Sequence, residues 1–200
     1  MRLFSALLSF LIPPRPAERI VSLLRLEELR ALHPGLPLPY SDPRVKALVW
    51  ELKYHQSVPA LALASTLLAE EFLGFIGEET LEPPVLIPIP MHENRRRERR
   101  SNHTEALCAE MLRKLPRGVV RYERDALRKE KETPRQVTLA AAARRKNVEG
   151  SFDVPDPSLV RGKLCIVLDD VTTTGATLIE ASVVLRRAGA REVVPLVLAQ

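Results

Sequence analysis

Asp169 and Asp170 follow the apolar run Cys165-Ile166-Val167-Leu168 and precede Val171-Thr172-Thr173-Thr174-Gly175-Ala176-Thr177. An apolar run of this length suits a buried parallel strand. It delivers two adjacent carboxylates to the carboxyl edge of a sheet, where ligands bind in open α/β folds. A hydroxyl-rich turn with one glycine, opening a helix, supplies backbone N–H groups, hydroxyls and a positive helix end, all suited to a phosphate. The carboxylates would repel that phosphate. They suit sugar hydroxyls instead, or Mg²⁺ held through water. One loop therefore fits a sugar on one side and its phosphate on the other. A strand, turn and helix capped by Asp and Thr accounts for any one of these residues, but not for two acids, three successive threonines, Gly175 and Thr177 together.

Two further stretches carry chemistry. Pro88-Ile89-Pro90-Met91 ends a second apolar run. The arginines Arg95, Arg96, Arg97, Arg99 and Arg100 follow it, before Ser101-Asn102. Arginines beside a strand end suit pyrophosphate, because each guanidinium can bind phosphate oxygens in a bidentate way. A solvated basic loop and a non-specific nucleic-acid contact are the rival readings. No aromatic residue interleaves the arginines, which disfavours a stacking platform for single strands. The third stretch is Gln136, Leu139, Arg144 and Asn147, before Gly150-Ser151-Phe152. Taken alone it reads as an exposed helix with a cap.

The elements that must position these residues are legible as patterns. Apolar spacing predicts a helix over 17–32, ended by His33-Pro34-Gly35, then an extended connector Leu36-Pro37-Leu38-Pro39. Asp42-Pro43 reads as a capped helix start, and Ser57 to Ile76 as a further helix with its own cap. Val85 to Pro90 reads as a strand. Asn102 with Glu105 reads as a capping-box start for a helix to about Leu115. Gly118 to Tyr122 reads as a short strand, and 128–151 as a loop leading into a helix. Leu164–Leu168 and Val193–Leu198 read as strands around a helix from Gly175 to Ala188 that Gly189 ends. Alternating strands and helices predict a parallel α/β sheet.

Bulk composition sets outer limits. The 200 residues, 46% hydrophobic and 28% charged, are enough for one domain with a sizeable core. A net charge of +5 agrees with an anionic ligand but does not specify one. The two cysteines, Cys108 and Cys165, form no CxxC pair, so they suggest two buried thiols in a reducing cytoplasm and no zinc site. No uninterrupted apolar run reaches the roughly 18 residues that a membrane span needs. The stretch Leu3 to Ile12 precedes Pro13-Pro14-Arg15-Pro16 without a small-x-small cleavage site, and reads as a docking helix.

In this order, the three stretches resemble the ComF family of competence-associated, type I phosphoribosyltransferase-like proteins, over roughly residues 40–200 and most strongly over 164–189. The family shows a Pro-x-Pro strand end and a basic loop ending Arg-Gly-Phe-Asn-Gln. Here Arg99-Arg100-Ser101-Asn102-His103 stands in that place, with Arg100 for the glycine and His103 for the glutamine. The spacing of Gln136, Leu139, Arg144 and Asn147 matches, as does the acidic pair with its threonine turn. The usual opening cysteine zinc ribbon has no counterpart, since no cysteine precedes Cys108.

The resemblance implies a parallel sheet flanked by helices over 41–200, with a helical N-terminal extension over 1–40. It implies a phosphoribosyl-pyrophosphate (PRPP) site with Asp169 and Asp170 as catalytic carboxylates, which also hold Mg²⁺ through water. Thr172, Thr173, Thr174, Gly175, Ala176 and Thr177 would bind the 5′-phosphate, and Arg96, Arg97 and Arg99 the pyrophosphate. Gln136, Arg144 and Asn147 would belong to a hood loop. Three functions stay open: a cytoplasmic, Mg-dependent phosphoribosyltransferase that releases pyrophosphate, a PRPP or nucleotide sensor working with a DNA-uptake partner, or a basic module that binds nucleic acid. The oligomeric state stays open as well. The turn also resembles that of purine-salvage phosphoribosyltransferases, which place an acid two positions before the glycine. Thr173 stands there instead.

Overall fold

The computed structural model describes residues 16–55, 57–76, 82–91, 102–130 and 149–200. Helices α1 (Pro16–Leu23) and α2 (Leu26–Arg30) replace the single helix expected over 17–32. Arg25 between them is extended, with φ −105° and ψ 152°. Its N–H donates to the Glu28 carboxylate at 2.9 Å, which caps the second helix and stabilises the break. Helix α3 (Pro43–Tyr54) starts as expected: Asp42 accepts the Arg44 N–H at 2.8 Å. Helix α4 (Val58–Phe75) starts after Ser57, whose side chain makes no capping bond. With mean hydropathy 1.4 over 18 residues, α4 is long and apolar enough to cross a membrane by composition alone. The sequence pattern missed this because Glu70-Glu71 interrupts the run. In the fold, Ala64, Leu68 and Phe72 of α4 lie fully in the core.

The sheet contains β1 (Val85–Pro88), β2 (Arg121–Tyr122), β5 (Leu164–Val171) and β6 (Glu192–Ala199), in the order β2-β1-β5-β6. All three pairings are parallel. Helix α5 (His103–Leu112) connects β1 to β2 and is shorter than expected. Helix α6 (Ala176–Arg187) connects β5 to β6. Between β2 and β5, the strands β3 (Arg128–Lys129) and β4 (Phe152–Asp153) pair antiparallel. Two residues on each side leave no periodicity to read, so neither strand is legible in the sequence, where 128–151 reads as a loop leading into a helix. Strand β2 is likewise only Arg121–Tyr122 of the expected Gly118–Tyr122.

Side chains alternate across the sheet. Leu86, Ile166, Leu168, Leu196 and Leu198 pack against α3, α4, α5 and the N-terminal helices. On the other face, Ile87, Cys165, Val167, Val193 and Val197 pack against Leu178, Ala181 and Leu185 of α6. The N-terminal helices share the first of these cores, through Ala17, Val21 and Leu29. The connector Leu36–Pro39 does more than join elements. Leu38 N–H donates to Leu198 O at 2.8 Å, and Gln200 N–H donates to Leu38 O at 2.9 Å. These bonds cover the C-terminal end of the outer edge of β6, which would otherwise expose unpaired backbone there.

Candidate functional site

Strand β5 was expected to end at Leu168, but it pairs with β6 as far as Val171↔Ala199. The longer strand determines where the two aspartates point. Adjacent strand residues face opposite sides of a sheet. Asp169 therefore shares the α6 face with Val167 and is partly exposed. Asp170 shares the face of Leu168 and is only 2% exposed. The exposed strand end inferred from sequence holds for Asp169, whereas Asp170 is enclosed by protein.

Asp170 is approached from several sides. Lys53 Nζ, at the last turn of α3, lies 3.2 Å from its Oδ2. His103 Nε2, at the first turn of α5, lies 3.0 Å from the same oxygen. The Val171 N–H donates to Asp170 Oδ1 at 2.7 Å, and the Asp170 N–H donates to Asp169 Oδ1 at 2.9 Å. Burial opposes ionisation of Asp170, but the Lys53 ammonium and the His103 contact outweigh it and hold the carboxyl below the ordinary range. Burial likewise opposes the charge on Lys53, and Asp170, Asp169 and Tyr40 together more than restore it. Asp169 goes the other way: burial, and then the negative charge of Asp170, push it well above the ordinary carboxylate range. A charged pair and an unfavoured acid thus sit side by side.

The turn after β5 is held by its own residues. The Thr172 N–H donates to Ala199 O at 3.0 Å, continuing the sheet. Thr172 Oγ1 accepts the Gly175 N–H at 3.1 Å, closing the turn. Gly175 has φ +71°, a left-handed conformation that side-chain-bearing residues rarely adopt. Helix α6 begins directly after it, so its first N–H groups have no acceptor within the helix. Thr173 is exposed, and Thr172, Thr174 and Thr177 are partly so. This cluster of donors with a helix N-terminus matches a phosphate in shape and sign.

Ile89 and Asn102, which flank the basic stretch in sequence, lie beside the same edge. Ile89 N–H donates to Leu168 O at 2.9 Å. Ile89 O in turn accepts from Thr104 Oγ1 at 2.9 Å and from Asn102 Nδ2 at 3.3 Å. Asn102 also caps α5 by accepting the Thr104 N–H, and its amide reaches Glu105. The N-cap read from sequence at Asn102 is therefore also a clasp that holds Ile89 and Asn102 together next to β5; the reciprocal bond of a capping box is not made, and Glu105 meets the Asn102 side chain instead. The sequence-derived candidates Arg96, Arg97, Arg99, Gln136, Arg144 and Asn147 lie outside the described residues. A groove of about 1100 Å³ runs along α6 between Ile179, Glu180 and Val183 and the β4 residues Phe152 and Asp153. It reaches the turn only at Ala176, on the side away from Asp170.

The sequence reading missed Lys53. Within α3 it appears only as one polar residue among the apolar positions Val45, Leu48, Val49 and Leu52. A helix-terminal lysine carries no signal of its own until the fold places it against an acid from a distant strand. His103 was noted only as a substitution for the family glutamine. Its contact with Asp170 follows from the clasp that fixes the start of α5.

The chain is similar to several known proteins. Residues 105–200 match the family model described as phosphoribosyl transferase domain. DNA utilization protein YhgH of Escherichia coli O6:H1 is 30% identical over 152 residues, covering 76% of this chain and 65% of that protein. The chain thus spans just under two thirds of that relative's length. The protein of the same name from Salmonella typhimurium is 29% identical over 196 residues, covering 90% of this chain and 84% of that one. Competence protein F of Haemophilus influenzae is 30% identical over 112 residues, or 56% of this chain and 48% of that protein. Among solved structures, the allosteric regulatory enzyme of purine biosynthesis aligns with 74% of this chain and 30% of its own, at 21% identity and a TM-score of 0.43.

Proposed function

We propose that this chain, similar to DNA utilization protein YhgH and Competence protein F and matching the phosphoribosyl transferase domain over residues 105–200, is a member of the ComF family of competence-associated, type I phosphoribosyltransferase-like proteins, and that it binds PRPP at the end of β5 and transfers the phosphoribosyl group with release of pyrophosphate. The observation that carries this reading is the Thr172–Thr177 turn, in which Gly175 at φ +71° opens α6 directly beside a carboxylate pair. The 5′-phosphate would occupy the N–H groups and hydroxyls of Thr172 to Thr177. The ribose hydroxyls would donate to the acidic pair, chiefly to Asp169, its accessible member. Arg96, Arg97 and Arg99 would take the pyrophosphate, and Gln136, Arg144 and Asn147 would close over the ligand.

Mg²⁺ fits this donor set. Carboxylate oxygens are the hard donors that it prefers, and a cation beside Asp169 would offset the burial and the like charge that disfavour its ionised form. The described residues contain no cluster of three or more His, Cys, Asp or Glu that could hold a metal unaided, so the remaining donors would come from water and PRPP. When bound, Mg²⁺ would screen the charge that accumulates on the departing pyrophosphate. A nitrogen nucleophile forms the new bond to C1 as the C1–O bond to pyrophosphate breaks. Pyrophosphate keeps the bonding pair, and the nitrogen releases its proton. The chain's own part is to orient the ribose through Asp169 and to stabilise charge at both ends through fixed donors.

A second reading is favoured by the names of the relatives, DNA utilization protein and competence protein F. In it the fold binds PRPP or a nucleotide and signals to a DNA-uptake partner without turnover. In either reading the two unpaired buried thiols, Cys108 and Cys165, support a cytoplasmic setting. Pyrophosphate release measured with PRPP, Mg²⁺ and a panel of amines separates the two. Turnover with any amine supports the enzyme. Tight PRPP binding with no release from any of them supports the sensor.

A further inference from the structure

The proposed site is supported from a direction that the PRPP-binding motif itself does not contain. Lys53 of α3 and His103 of α5 both contact Asp170 Oδ2, at 3.2 and 3.0 Å. Asp170 faces protein rather than solvent, and Lys53 and His103 keep only 27% and 15% of their side-chain surface exposed. Two hydrogen bonds then pass this arrangement on toward the ligand side. Asp170 Oδ1 accepts the Val171 N–H at the entrance to the phosphate turn, and the Asp170 N–H holds Asp169 Oδ1. A side chain fixed by two cationic or polar partners therefore sets both the backbone leading into the turn and the orientation of the neighbouring carboxylate.

We propose that Lys53 and His103 are positioning residues that hold Asp170 as an internal anchor, so that the aspartates divide the work: Asp169 faces the sugar and Asp170 faces the fold. Neither residue touches the ligand in this scheme. Their effect reaches it through the direction in which Asp169 points. The proposal rests on the PRPP reading for the identity of the ligand, but the anchor itself is a property of the protein and can be measured without any ligand.

The test uses two probes that share a phosphate and differ in the sugar, ribose 5-phosphate and inorganic phosphate, titrated against the full-length protein. Lys53→Met is expected to weaken ribose 5-phosphate about tenfold and inorganic phosphate less than threefold. Lys53→Arg and His103→Gln, which keep a donor toward Asp170, are expected to stay within about threefold of the unsubstituted protein for both probes. Equal losses for the two probes in Lys53→Met, or failure of both conservative variants to retain binding, would overturn the positioning role. If the unsubstituted protein binds neither probe, the PRPP reading fails, and the anchor is judged by unfolding alone. In that case Lys53→Met combined with Asp170→Asn should lower the melting temperature by clearly less than the sum of the two single losses. Additive losses would overturn the anchor. The same thermal cycle applies if Lys53→Met is too unstable for titration.

Discussion

Lys53 Nζ stands 3.2 Å from Asp170 Oδ2, joining the last turn of α3 to the strand that carries the acidic pair. The contact links a helix of the N-terminal half to the C-terminal half, where the phosphate turn lies. It lies at the C-terminal end of α3, where a cation also complements the helix dipole. Breaking a buried pair from one side leaves the other charge without compensation, which is why the two aspartates should respond to substitution in opposite ways.

Asp170→Asn is expected to destabilise the fold by about 2–3 kcal/mol, below the roughly 3–5 typical of fully buried pairs because Lys53 keeps some solvent contact. Asp169→Asn is expected to stabilise it at neutral pH. The sign follows from linkage. Asp169 has a raised folded pKa, so the stability that it contributes is present below its unfolded value of about 3.9 and is lost as pH rises toward the folded value. The melting-temperature gain of Asp169→Asn should thus be near zero at about pH 4 and grow toward neutrality, at about 2–4 °C for each kcal/mol relieved. Thermal scans of both variants across this range check the prediction. A loss of stability in Asp169→Asn at neutral pH contradicts it.

Gly175→Ala should lose about 1–2 kcal/mol of stability. A Cβ at this position meets only Ile179 Cδ1 at 3.7 Å, so space is available and the loss comes from φ +71°. Phosphate binding should fall by more than the stability loss suggests, because any relaxation of φ redirects the N–H groups that open α6. Denaturant unfolding and phosphate titration of one preparation check both statements. Unchanged phosphate affinity would mean that the turn does not hold the anion.

Much of the fold was legible in the sequence because β1, β5 and β6 are built on apolar runs and several helices carry strong punctuation, as at Asp42-Pro43, Asn102 and Gly189. The chemistry was legible at Asp169 to Thr177 because the whole site fragment is contiguous. Three features were not. The break at Arg25 depends on a local hydrogen bond to Glu28 that competes with a good helical pattern. The β3–β4 pairing is too short to carry a period. The facing of Asp169 and Asp170 depends on how far β6 continues alongside β5, which only the three-dimensional register shows. Lys53 and His103 as partners of Asp170 follow from that same register.

Zinc analysis of the purified protein should find far less than one metal per chain. The family's cysteine ribbon has no counterpart before Cys108, and Cys108 and Cys165 are both buried with thiols that burial pushes upward, which disfavours the thiolate that zinc requires. One tightly held zinc per chain contradicts this.

Hypoxanthine, guanine and xanthine should be poor acceptors. Thr173 occupies the position two before Gly175, where purine-salvage enzymes carry an acid. A hydroxyl is a weak proton acceptor at neutral pH and places no charge beside a developing cation. Pyrophosphate release with each base in turn checks this, and robust turnover with any of them contradicts it.

The most direct measurement is calorimetric titration of the full-length protein with PRPP in the presence of Mg²⁺, set against the same titration of Asp169→Asn and Gly175→Ala. The account predicts a one-site binding event, weakened at least tenfold in both variants and weakened when Mg²⁺ is omitted. Absence of binding by the unsubstituted protein, or equal affinity in all three, would contradict it.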